Sequence, residues 1–114
     1  MKHDALTMAL LYDYYGELLT EKQKTCFDLY YNQDLSLSEI AEDLGVTRQG
    51  VHDTLVRAEA QLRLFEEKTG CIAREARTQQ AADRIEAAAQ ALSELPGAAP
   101  LARQILAAVH EIKE

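Results

Sequence analysis

At 114 residues the chain has room for one domain, or one domain with a helical extension. Its 47% hydrophobic content excludes disorder over most of the length, and no run approaches the ~18 apolar residues of a membrane-spanning helix. Twelve Lys and Arg stand against 19 Asp and Glu, a net charge of −7, so the overall basic footprint common in phosphate-binding proteins is missing.

Five Gly, two Pro and few, scattered β-branched residues predict an all-α protein. The N-terminus lacks a basic-then-apolar signal pattern, so a cytoplasmic location is expected. Cys26 and Cys71 are far apart and in no CxxC pair, and are read as buried thiols rather than a disulfide.

From Asp4 to Leu19, Leu6, Leu10, Leu11, Tyr14 and Leu18 recur at helical steps and predict an amphipathic helix with that stripe inward. Tyr12 and Tyr15 fall off the stripe and are expected to be partly exposed, edging the core or a dimer contact. Thr20 with Gln23 has capping-box spacing and starts a helix over 21–31, with Cys26, Phe27, Leu29 and Tyr30 or Tyr31 inward. A polar turn at 32–35 follows.

Ser36 and Glu39 repeat the capping-box spacing and open a helix carrying Leu37, Ile40, Ala41 and Leu44. Gly45 supplies a left-handed turn, Val46 is expected to plug the corner, and Thr47 caps a longer helix with Val51, Leu55, Ala58 and Leu62 on one face. Ala41 faces that second helix, where a larger side chain would push the two apart. The stretch 37–62 is therefore a helix-turn-helix. In a groove-docked motif the start of the second helix reaches base edges, and Arg48 and Gln49 suit guanine and adenine respectively. His52, Asp53, Val56 and Arg57 follow on the outward face. Gly50 is read as tolerated in a frayed first turn.

The second helix is expected to run to about Lys68, with Gly70 as a break or C-cap. Beyond it the chain becomes Ala-rich. Ala81, Ile85, Ala88, Leu92 and Leu95 step by 4, 3, 4, 3, a stripe suited to packing on another helix. Ile72 and Ala76 lie out of phase with it, which predicts a kink or a change of packing partner near Gln79 and Gln80. Pro96-Gly97 stops this helix. Pro100 starts a last one, with Leu101, Ile105, Val109 and Ile112 on one face. Residues 71–114 thus read as a helical hairpin, folded back on the core or paired with a second subunit. Homodimerisation is expected, because symmetric pairing is the common way to cover surplus apolar surface.

Catalytic patterns are absent. His3, His52 and His110 lack metal-ligand spacing to each other or to a cysteine. Glu42-Asp43 and Glu66-Glu67 are read as solvated helix faces, and there is no phosphate-cradling glycine loop or nucleophile motif. No enzyme activity, metal or cofactor is expected.

The stretch LTEKQKTCFDLYYNQDLSLSEIAEDLGVTRQGVHDTLVRAEAQLR resembles region 4 of bacterial sigma factors. The likeness is carried by Leu19, Gln23, Tyr31, Leu35, Ser36, Glu39-Ile40-Ala41, Leu44-Gly45-Val46, Val51, Leu55 and Arg57-Ala58. It is more similar still to the YlxM-like family of small helix-turn-helix proteins, on LYDYYGELLTEKQ at 11–23, Tyr30-Tyr31, SLSEIAEDLGVTRQGVHD at 36–53 and RLFEEK at 63–68. This implies a sigma region 4-like core of three to four helices without a wing (1–68), followed by the Ala-rich C-terminal extension (69–114). It also implies a regulatory role near the signal recognition particle, whose genes lie beside those of YlxM-like proteins in Gram-positive bacteria. Thr47, Arg48, Gln49, His52 and Arg57 occupy the positions by which sigma region 4 faces DNA. Asp53 and Glu59 depart from the basic residues that sigma factors tend to carry on that outward surface. Two functions follow as expectations: a regulator binding DNA or signal recognition particle RNA, or a protein-interaction module for a basic partner such as the particle's GTPase.

Overall fold

The computed structural model describes residues 4–114, so the reading of His3 lies outside the described residues. Among them are six α-helices and no strand: α1 (Ala5–Tyr15), α2 (Glu21–Phe27), α3 (Leu37–Leu44), α4 (Arg48–Thr69), α5 (Cys71–Leu92) and α6 (Ala99–Lys113). They form two compact units, one ending at Gly70 and the other running from Cys71 to Glu114.

Short-range chemistry sets the helix boundaries of the first unit. Thr20 and Ser36 each accept a hydrogen bond from the backbone N–H three residues on, and Gln23 and Glu39 return one to the cap's own N–H. Both capping boxes are therefore closed. Gly45 ends α3 at φ 67° and Gly70 ends α4 at φ 63°, left-handed conformations in which a Cβ is strained.

Helices α1, α2 and α3 all pack on α4. Val51, Leu55, Ala58 and Leu62 of α4 are enclosed, and Ile40 and Ala41 of α3 meet Cys26 and Tyr30 around Leu55. Each large aliphatic side chain so buried contributes roughly 2 kcal/mol relative to exposure. Leu44 and Val46, expected in this core, are instead about two-fifths exposed at the end of α3 and in the turn. The Val46 N–H bonds the Ala41 carbonyl at 3.0 Å, so the corner is closed by backbone rather than by the valine side chain.

Of the stripe expected inward on α1, only Leu11 is buried. Met8, Leu11, Tyr15 and then Leu19 are enclosed, while Leu6, Leu10, Tyr14 and Leu18 are exposed. The helix is apolar around most of its circumference, so spacing alone does not choose the inward face. The Tyr15 hydroxyl does: it donates to Glu66 Oε1 at 2.5 Å and lies 2.7 Å from Thr69 Oγ1, with its ring tilted against Phe65. The α-helix stops at Tyr15, and a 3-10 turn covers Gly16–Leu18. A Cβ at Gly16 would sit 3.1 Å from the Tyr12 ring. That ring, half-buried, stacks on Phe27 at 4.6 Å, and Phe27 stacks on Tyr31 at 4.5 Å, making a three-ring column.

After Phe27 the helix widens into a π-turn over Asp28–Asn32, with the Gln33 N–H reaching the Asp28 carbonyl five residues back. This turn positions Tyr31, whose hydroxyl donates to the Glu59 carboxylate of α4. Glu59 is only 2% exposed. It was expected on the outward surface of α4, and the structure corrects that. Its neighbour Ala58 points at the core, so the adjacent position lands under the tyrosine cluster rather than in solvent.

In the second unit α5 and α6 pack antiparallel, and α5 is unbroken through Gln79 and Gln80, with no helix break there. Of the two expected stripes only Val109 is enclosed. Ala82, Ala89, Ala102 and Val109 are enclosed, whereas Ile85, Leu92, Leu95, Leu101, Ile105 and Ile112 are exposed. Small residues win the seam because they allow close helix approach. Lys113 then reaches Asp83 at 2.7 Å and Glu86 at 3.5 Å, and His110 Nε2 lies 3.6 Å from Glu86. Cys26 is buried, which pushes its thiol pKa up, and Cys71 is half-buried; neither forms a disulfide.

Tyr31→Phe keeps the ring column but removes one hydrogen-bond donor from a buried carboxylate. It is expected to cost roughly 1–2 kcal/mol in urea unfolding at neutral pH, and an unchanged midpoint would contradict this account of Glu59.

Candidate nucleic-acid interface

The tip of α4 is built from its cap. Thr47 is extended (φ −81°, ψ 155°), and its hydroxyl accepts the Gly50 N–H at 2.9 Å, satisfying one donor of the first turn. A Cβ at position 50 would sit 3.0 Å from that same hydroxyl. Gln23 and Glu39 carry a Cβ at the equivalent third position of the other two caps, so the cap itself does not require glycine there. Thr54 bonds back to the Gly50 carbonyl at 2.9 Å, which turns it away from the outward side.

The enclosed stripe Val51, Leu55, Ala58 and Leu62 fixes the rotation of α4, and the rotation leaves Arg48, Gln49, Asp53, Val56 and Arg57 exposed, with His52 half-buried beside them. From Arg48 to Arg57 the helix rises about 14 Å, comparable with the ~12 Å width of the B-DNA major groove. All five residues singled out from sequence, Thr47, Arg48, Gln49, His52 and Arg57, lie on this one end of α4.

Asp53 is the residue whose part was missed. Gln49 Nε2 donates to Asp53 Oδ1 at 2.9 Å, and His52 Nδ1 lies 3.4 Å from the same oxygen. The Gln49 bond, then that of His52, holds the Asp53 carboxyl below the usual aspartate range, with the Arg57 charge adding to the effect. The i,i+4 spacing of Gln49 and Asp53 was a legible signal for this bond. Its chemical meaning is competition. An amide that reads adenine needs its own N–H group for the base, and here that group is engaged by a carboxylate.

With Glu59 buried, α4 exposes four cations, Arg48, Arg57, Arg63 and Lys68, against two carboxylates, Asp53 and Glu67. The surface is thus more basic than a count along the chain suggests. Elsewhere in the first unit, a shallow cleft of about 320 Å³ is lined by Glu21, Lys22, Thr25, Leu44 and Val46, and it contains no histidine or cysteine. Among the described residues no three His, Cys, Asp or Glu side chains gather as a metal would require, and no helix is long and apolar enough to cross a membrane.

Comparison with known proteins bears on this surface. Residues 2–96 match the family model UPF0122, described as helix-turn-helix protein, YlxM/p13 like. The UPF0122 protein of Thermoanaerobacter sp. (strain X514) is 52% identical over 85 residues, covering 75% of this chain and 73% of its own. That of Desulforamulus reducens is 60% identical over 65 residues (57% and 56% of the two chains), and that of Symbiobacterium thermophilum 42% over 85 (75% and 79%).

Because the depressed Asp53 pKa depends first on Gln49, Gln49→Ala should raise it toward the ordinary value in a carboxyl-carbon NMR titration. The bond itself is present at neutral pH and is lost as pH falls through the lowered pKa. An Asp53 pKa that does not move in the variant would refute the assignment.

Proposed function

The chain belongs to the YlxM/p13-like helix-turn-helix family UPF0122, and from that premise we propose that it is a regulatory protein that binds nucleic acid, not an enzyme. The observation that carries this reading is the capped tip of α4, which presents Arg48, Gln49, His52 and Arg57 on one side, with Glu59 removed from it by burial. Arg48 and Arg57 supply phosphate or guanine contacts, and Gln49 and His52 sit where base edges would be read. Thr47 holds the first turn in place and offers its backbone end to the nucleic acid.

The finer reading is that the target is DNA or the RNA of the signal recognition particle, and that the protein acts in the cytoplasm on that particle's pathway, as the resemblance to YlxM-like proteins implies. A dimer would present two α4 tips and double the basic surface. A second reading, an interaction module for a basic partner such as the particle's GTPase, is favoured by one observation: Asp53 occupies the Gln49 amide and lies against His52, within an overall charge of −7.

A polarisation titration of labelled duplex DNA and of particle RNA at several salt concentrations separates the two. Binding through the α4 tip predicts affinity that falls with salt, and for Arg48→Ala/Arg57→Ala a log–log salt slope on DNA smaller by about 2, at roughly 0.9 per lost phosphate contact. Asp53→Ala should tighten binding by removing a negative charge and releasing Gln49. Undiminished binding in the double arginine variant overturns the placement, and no binding to either nucleic acid favours the protein-partner reading.

A further inference from the structure

The hairpin of the second unit has its apolar residues on the wrong surface for a self-sufficient pair of helices. Its seam is made by Ala82, Ala89, Ala102 and Val109, which bury little area, and a small hairpin with so thin a core gains little stability by itself. Its large side chains lie a quarter-turn away. On α5, Ala81, Ile85, Ala88 and Leu92 step by 4, 3, 4. On α6, Leu101, Ile105, Ala108 and Ile112 step by 4, 3, 4 as well.

Both stripes lie about 80° from the seam in the same rotational sense along each chain, at 100° per residue. Because the two helices are antiparallel, equal rotations in that sense bring both stripes to one side of the hairpin. The other side carries the ion pairs of Lys113 with Asp83 and Glu86, and the His110–Glu86 contact. The result is a sheet of two helices with one charged face and one apolar face written in heptad spacing.

We propose that this apolar face is closed by a second copy of the chain, the two hairpins forming an antiparallel four-helix bundle. Three features select that occupant. A surface two helices wide, each with an a/d stripe, is matched by another of the same kind, as in bundles with ~20° crossings. Exposures run from 37% at Ile105 to 63% at Leu101. On the five large side chains of the two stripes that amounts to about 400 Å² of apolar surface, close to the apolar share of the ~800 Å² that each partner commits to a stable interface.

The third feature is charge. The pairs Asp83–Lys113 and Glu86–His110 set the register of the hairpin, so that Arg84 stands level with Glu111. These two exposed residues edge the apolar face on its outer sides, Arg84 on α5 and Glu111 on α6. A two-fold axis parallel to the helices places each α5 beside the other copy's α6 in the same register. Arg84 then meets Glu111 of the second copy, twice per dimer. This deepens the dimer reading above and does not rest on nucleic-acid binding.

The test is the mass of the full chain in solution, by sedimentation equilibrium and light scattering from 1 to about 100 μM, a range set by typical specific affinities. The expected mass is that of two 12.7-kDa chains. Ile85→Glu/Ile105→Glu should weaken dimerisation at least ~100-fold. Arg84→Glu alone should weaken it about tenfold, and Arg84→Glu/Glu111→Arg should restore it to within about threefold, since an interacting pair is not additive. The charge variants alter only exposed residues, and circular dichroism unchanged from the parent protein shows that their effect is on association. A monomer throughout this range overturns the proposal. So does a dimer that survives Ile85→Glu/Ile105→Glu, which would place the contact elsewhere, for instance on Leu6 and Leu10 of α1. A swap that restores nothing overturns the two-fold arrangement. Loss of nucleic-acid binding in the Arg48/Arg57 variant with an unchanged dimer mass leaves this inference standing while the functional reading fails.

Discussion

The complete burial of Leu55 and Leu62 fixes the rotation of α4, and the rest of the first unit depends on that rotation. A helix has one degree of rotational freedom about its axis, and a stripe of four enclosed apolar residues removes it. Once Val51, Leu55, Ala58 and Leu62 face α1, α2 and α3, every other side chain on α4 is assigned to core, margin or solvent. The tip is then held by the Thr47 hydroxyl, which accepts the Gly50 N–H and keeps the first turn capped. The exposed tip of α4 is thus a by-product of core packing, and its geometry is set by residues that stay inside the protein.

The same rotation decides the electrostatics. A glutamate next to an enclosed alanine enters the margin of the core, where the Tyr31 hydroxyl meets its carboxylate. That contact rests on the π-turn after Phe27, which widens the helix and seats Tyr31 against Phe27. Removing Glu59 from the surface changes the local balance in favour of cations, although the chain as a whole remains acidic. Asp53 works the other way. It lies on the outward side and draws in Gln49 and His52, so the tip combines exposed arginines with polar groups already engaged. Such a surface suits weak or regulated contact better than tight, phosphate-driven binding.

The second unit solves a different packing problem. Alanine at Ala82, Ala89 and Ala102 lets α5 and α6 approach closely, which favours the ion pairs of Lys113 and the His110–Glu86 contact along one edge. The cost is that the isoleucines and leucines are left on the adjacent face. A monomer exposing so much contiguous apolar surface is unusual, and such patches commonly mark an interface. The heptad spacing is the sequence record of that face, present in both helices.

Local chemistry was legible from the sequence by itself. The two capping boxes, the left-handed glycines at 45 and 70, the helix-turn-helix between them and the inward stripe of α4 depend on neighbours within a few residues, and the chain alone determined them. The candidate site residues were legible for the same reason, because they are counted from a cap. Three features were decided only by tertiary structure. Helix α1 is apolar on more than one side, so the long-range bond from Tyr15 to Glu66 selected the buried face. Glu59 looked like a surface charge until a tyrosine 28 residues earlier met it. On α5 and α6 the strongest apolar periodicity named the face left exposed, because the seam between two helices favours the smallest side chains that let them touch. In each case the deciding partner is distant in sequence, and periodicity reports that a face is apolar without reporting what covers it.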